Sequence, residues 1–391
     1  MYDFINFSYG TNLYLNLYCF VLYCFLVIFS LKGNVVEMYA PMRGRLRTIL
    51  LLCGIVLFAM TSFVDEDFFH YYEFMTEFNN SVIDREDVRV EIFYQYLISF
   101  INGNYALFRL AVWGGAALIT VWSARIFGAN SYNVLFVILA GYIIVFSYAR
   151  ATLAVAVLLL GVTMLCCACD QNRKSKVLQI ILGLAIAVCS IYFHRSILPV
   201  VAVTLGWWIL PFKRQLSKRS LLLFVVLVAF FALVIKWGFE ELAMVANSWH
   251  DDETGTLDKM EHYRTLEGER SNINGYISLI IKYSTFYIPF FLIAFALRQP
   301  EVQERVDNHT TMLHLFVVIM IAFATSFLFI GSDSEVLFYR YLYMAFIPLA
   351  MLISYMKDAG TLKLRHYLLI VACLILNTLW QLFAAVYGQM K

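Results

Sequence analysis

The chain has 391 residues, of which 62% are hydrophobic, 17% aromatic and only 14% charged, with a mean hydropathy of +0.74 and a net charge of +2. A soluble domain carries ~25% charged residues, so this chain has too few charges to clothe a water-facing surface, which excludes an ordinary cytosolic enzyme and a disordered protein. The near-zero net charge and the absence of a long basic run exclude a nucleic-acid binder, and the class that remains is an all-α, polytopic transmembrane helix bundle.

Crossing ~30 Å of hydrocarbon takes about 20 mostly apolar residues in helix. Twelve such stretches follow one another, near 13–31, 48–64, 104–123, 133–149, 151–169, 177–193, 196–210, 220–237, 275–297, 312–331, 338–356 and 367–387. The first lacks a basic leader and a small-residue cleavage site and reads as a retained helix. Two connections are long, 65–103 and 238–274. Neither is large enough to be an independent domain, so residues 1–391 read as a single membrane domain. The first long connection ends in an amphipathic stretch, Val90 to Phe100, suited to lie along the membrane surface. The eight cysteines all sit in or beside apolar runs, and Cys166, Cys167 and Cys169 read as small hydrophobes rather than metal ligands.

Lys and Arg in short loops fix orientation. Alternate loops collect 17 of the 29 basic residues with only six of the 27 acids, among them Arg43, Arg45 and Arg47, Arg173 and Lys174, and Lys357 with Lys363. That side reads as cytoplasmic, and an even span count leaves both termini outside.

Five cations break this rule by standing at outer helix ends: Arg109, Arg150, Arg195, Lys282 and Arg340. A cation inside the membrane is costly. Cations at similar depth on separate spans repel one another unless an anion joins them, and guanidinium forks match phosphate oxygens. The pattern therefore predicts an anionic group held at the outer boundary, for which a lipid-borne diphosphate has the right depth, with Arg150, Arg195 and Arg340 as its main ligands and Arg109 and Lys282 as supporting charge. Asp67, Glu91 and His194 lie on the same side as candidate bases. Tyr71 and Tyr72 are candidate sugar platforms. No cofactor or metal motif is present.

Four short stretches resemble the EpsG-like and Wzy-like exopolysaccharide and O-antigen polymerases: Asp67 with Tyr71, the Glu-led segment Glu91 to Phe100, Ser147 to Arg150 opening a span, and the turn His194, Arg195 and Ser196. Arg340 in its Tyr-rich helix is a fifth. The chain departs at Ala151, where the family often has Gln, and at Asp65 and Glu66, where Gly often precedes the early Asp. The resemblance implies a metal-independent, GT-C-like membrane glycosyltransferase of the bacterial inner membrane. It would join undecaprenyl-diphosphate-linked oligosaccharide units on the periplasmic side, with a chain-length regulator as a further partner. A glycan ligase, a membrane acyltransferase using His314 or His366, and a lipid-linked oligosaccharide flippase are the competing readings.

Overall fold

The computed structural model describes residues 13–35, 41–61, 75, 92–142, 149–168, 173–209, 226, 230, 273–327 and 334–388. Every regular element among them is helical. In chain order these are α1 (Leu13–Val35), α2 (Pro41–Thr61), α3 (Ile92–Phe100), α4 (Tyr105–Phe127), α5 (Ser131–Ala140), α6 (Ala149–Cys167) and α7 (Arg173–Cys189). They continue with α8 (Leu198–Ile209), α9 (Ile273–Ala296), α10 (Asn308–Ser326), α11 (Ser334–Asp358) and α12 (Leu364–Gly388). Among the described residues, five segments are long and apolar enough to cross a membrane: Tyr105–Phe127, Arg150–Cys167, Ser175–Tyr192, Asn308–Ser326 and Leu364–Phe383. The expected eighth span lies outside the described residues except for Val226 and Phe230, as does most of both long connections.

Helices α5 and α6 form the centre. Helix α5 touches α1, α2, α4, α11 and α12, while α6 touches α4, α7, α8, α10 and α11. Residues Tyr132 to Ala140 are all buried, as expected for a helix that is apolar on every side. α5 ends at Ala140, deep in the bundle. The Ala140 carbonyl, one of the last that helix geometry leaves open, accepts from the Tyr23 hydroxyl (2.8 Å) and the Thr378 hydroxyl (2.9 Å). In lipid an unmet carbonyl costs several kcal/mol, so these two side chains let the helix break where it does.

Lipid tails are as apolar as Leu, so helix pairs are held by close packing rather than by exclusion of water. The α6–α7 pair shows it. A methyl group on Gly161 would stand 2.6 Å from the Gly183 carbonyl oxygen and 2.8 Å from the Ala187 nitrogen. Only hydrogen at Gly161 permits this backbone approach. The tight connections have local causes as well. Asn102 and Gly103 take positive φ (49° and 62°) between α3 and α4, and Asn104 caps α4 by accepting from the Leu107 N–H.

Candidate functional site

Arg150 is the second residue of α6 and stands in its first turn, where the helix dipole is positive. The elements that carry three of the other four cations pack against α6 or lead directly into a segment that does. Arg109 precedes a five-residue π turn, Leu110–Gly114, that lies on α6. Arg195 opens a 3-10 turn, Arg195–Ile197, that also touches α6. Arg340 lies in α11, again a neighbour of α6. Lys282 falls on α9, which packs against α11. Its side chain is outside the described residues. By helix rise, Arg109 sits about 6 Å, Arg340 about 9 Å and Lys282 about 14 Å below the first residue of its helix.

The environments differ. Arg109 is 2% exposed, with its guanidinium carbon 4.6 Å from the Trp113 ring and 5.6 Å from the Tyr105 ring. The charge rests on ring faces, which attract cations most strongly when water is excluded. Arg150 and Arg340 are half-buried, each with Nε withdrawn from solvent. Arg195 is exposed. The four cations whose side chains are described are thus graded in exposure, from one enclosed to one in the open.

Aromatic contacts tie these positions together. The Tyr94 hydroxyl donates to the Arg150 carbonyl oxygen at 3.4 Å, and the Tyr94 ring lies 5.9 Å from Phe108, beside Arg109. Phe93 lies 4.4 Å from Phe193, beside His194. Helix α3 therefore bridges three of the predicted positions. On the far side, Tyr283, beside Lys282, lies 5.5 Å from Phe338 and 6.0 Å from Tyr339, beside Arg340, and Tyr339 stacks on Tyr343 at 6.1 Å.

His194 takes an extended backbone conformation between two 3-10 turns. Its N–H donates to the Ser190 carbonyl (3.4 Å), and its own carbonyl accepts from the Ile197 N–H (3.1 Å). This break turns the chain from α7 into α8 and leaves the imidazole half-buried beside Arg195. Asp67, Tyr71, Tyr72 and Glu91 lie outside the described residues.

Sequence reasoning missed Tyr94, Tyr105, Trp113 and the α9–α11 tyrosines. For two of them the signal was present, because Tyr105 and Trp113 stand four residues before and after Arg109, the spacing that places side chains on one helix face. Tyr94 gave no such signal, since its partners are 14 and 56 residues away in sequence. The cysteine reading meets a packed setting, with Cys166 buried and the Cys167 thiol directed at the Ile126 carbonyl (3.5 Å).

The fold is that of a helical membrane protein, and several helix ends in it combine cations with aromatic faces. The chain belongs to the EpsG family, which it matches over residues 44–390. Membership points to a polysaccharide-polymerase-like membrane protein. No curated protein and no solved structure matches it.

Proposed function

We propose that the protein is a GT-C-like, twelve-span polymerase of the bacterial inner membrane that joins oligosaccharide units carried on undecaprenyl diphosphate, working at the outer face. The observation that carries this reading is the grouping of the segments bearing Arg109, Arg150, Arg195 and Arg340 around α6. Segments that carry or adjoin these cations pack on α6, whose first turn holds Arg150 and carries partial positive charge, and this supports the reading.

The chemistry needs two things from the protein. An acceptor sugar hydroxyl attacks the anomeric carbon of the donor, the bond from that carbon to the diphosphate oxygen breaks, and the electron pair leaves with the diphosphate. Preorganised guanidinium groups in a water-poor site stabilise that growing charge, a role for Arg150, Arg195 and Arg340 with Arg109 and Lys282 in support. The hydroxyl proton passes to a base within hydrogen-bond reach, for which His194, Asp67 and Glu91 are the candidates. The aromatic faces beside these residues, with Tyr71 and Tyr72, suit sugar rings.

Replacing Arg150 or Arg195 by Ala is expected to abolish polymer while the protein still reaches the membrane. The check is gel analysis of cell-surface glycan beside an immunoblot of membranes. Single repeat units are expected to accumulate on the lipid carrier. Long polymer left on the carrier would indicate a ligase, and normal chain length in both variants would remove the proposal.

A further inference from the structure

Helices α9 and α10 stand over a shared neighbour. α11 packs on both, while α9 and α10 have no comparable packing on each other among the described residues. What lies between them can be read from the positions left open. From Leu313 to Ser326, α10 is buried except at His314, Val318, Ala322 and Thr325, a spacing that draws one line along a helix. That line faces α9, because the Thr325 and Tyr287 hydroxyls are hydrogen-bonded at 2.9 Å. The α9 wall is a staircase of rings. Tyr283, Tyr287 and Phe291 stack in turn at 6.4 and 6.2 Å, and Phe295 continues the line one turn on. The staircase runs about 18 Å along the helix, and its far steps, Phe291 and Phe295, are 62% and 58% exposed. From Phe338 to Ser354, α11 is buried except at Arg340 and Tyr343, one turn apart. Tyr343 lies 5.7 Å from Phe286 of α9, and Tyr339 lies 6.0 Å from Tyr283. The three helices thus frame a crevice with α11 as its floor and Arg340 at its head.

The lining says what fits. Thr325 donates to the Ile321 carbonyl (2.6 Å), so Tyr287 is the donor of the pair. Both hydroxyl hydrogens are spent inside the protein, and no charged residue occurs between Tyr283 and Ala296 or between Leu315 and Ser326. A sugar would lose its water here without gaining donors, which is costly. An apolar tail loses nothing, and isoprene units, flat about their double bonds, lie well against ring faces. One turn further from Arg340 stand Phe291 on α9 and the small Ala322 on α10, then Phe295 and Val318, so the crevice opens sideways to the bilayer. We propose that it holds the isoprenoid tail of the lipid carrier, with the first units on Tyr283 and Tyr287 and the rest passing into the bilayer over Phe291 and Phe295. Apolar walls with polar groups confined to one end are usual for ligand sites between helices. The proposal rests on the diphosphate reading for its occupant, since Arg340 is one of the groups assigned to the diphosphate, and it adds the path of the tail.

The test uses the full chain in nanodiscs and radiolabelled undecaprenyl diphosphate, the carrier without sugars. Photoreactive benzoylphenylalanine replaces Phe291 in one variant and Ile181, 58% exposed on α7, in another. Labelling at 291 is expected to exceed labelling at 181 severalfold and to fall when unlabelled carrier is added. Phe291→Ala combined with Phe295→Ala is expected to raise the half-saturating carrier concentration about tenfold, through lost apolar contact. Both side chains face outward, so this variant is expected to keep the fold. Equal labelling at the two positions would mean that the tail lies in bulk bilayer, and it overturns the assignment, as does unchanged affinity in the double variant. Competition at 291 by oligosaccharide cut from the polymer, with none by unlabelled carrier, would make the crevice a sugar path and overturns it likewise. The two readings fail separately. Normal polymer in Arg150→Ala and Arg195→Ala with 291 still labelled removes the polymerase reading and leaves the tail site standing. Loss of polymer in those variants without selective labelling at 291 removes the tail site alone.

Discussion

Arg109 shows how a cation is made tolerable inside a helical bundle. It is enclosed, and two aromatic faces four residues away on either side receive its charge. A desolvated cation–π pair contributes about 2 kcal/mol, which offsets part of the cost of holding the charge away from water. The π turn begins at the next residue, Leu110. Such turns frequently mark functional sites, and here one follows a charge that the sequence already singled out. Trp113→Phe keeps a ring face and is expected to preserve folding and most polymer formation. Trp113→Leu removes the face and is expected to lower stability by about 2 kcal/mol, with loss of polymer out of proportion to the fall in membrane-inserted protein. Measuring thermal midpoint and glycan in parallel separates the two effects. An unchanged Trp113→Leu variant would mean that Arg109 needs no aromatic support.

Among elements, α6 organises the bundle and α7 leans on it through bare backbone. Gly161 and Gly54 make a controlled comparison. A methyl on Gly161 meets the Gly183 carbonyl and the Ala187 nitrogen, which are main-chain atoms and cannot swing aside. A methyl on Gly54 meets only the tip of Leu26, which can change rotamer. Overpacking costs about 1–3 kcal/mol where the surroundings cannot yield. Gly161→Ala is therefore expected to lower the thermal midpoint clearly and Gly54→Ala hardly at all. α7 leads directly into the turns that hold His194 and Arg195. Separating it from α6 is thus expected to reduce polymer as well, whereas Gly54→Ala should not. Much of this level was legible in advance, because apolar length alone locates a membrane helix. The expected span 133–149 is interrupted after Ala140: Gly141 is a turn, Tyr142 is helical again, and residues 143–148 lie outside the described residues. The carbonyl freed at the break is met by Tyr23 and Thr378, 117 and 238 residues away, and no local pattern reports such a pairing.

For the whole molecule, charge asymmetry between the two ends is the organising feature. The end bearing Arg45, Arg47, Arg125, Lys357 and Lys363 is also the end with side-chain ties among helix termini. Lys357 donates to Asn133 (3.1 Å), and the Asn133 amide donates to Asp358 (2.5 Å), linking α5 to α11. Burial lowers the Lys357 pKa, opposed in part by the neighbouring Asp358. The other end holds the turn between α3 and α4 and the turns around His194. The positive-inside bias is a property of insertion, not of the folded contacts, so helix packing alone leaves the direction of the bundle unfixed. The proposed reaction fixes it, since the carrier-linked units are joined outside. Two engineered cysteines decide the matter in a background where the native ones are replaced by Ala or Ser. Asn102→Cys, in the α3–α4 turn, is expected to react with a membrane-impermeant maleimide in spheroplasts. Gln299→Cys, in the turn after α9 at the basic end, is expected to react only once the membrane is opened. The reverse pattern would place the arginines around α6 on the cytoplasmic side, where an outer-face polymerase has no use for them, and the glycosyl-transfer reading would fall while the helix packing described above stood unchanged.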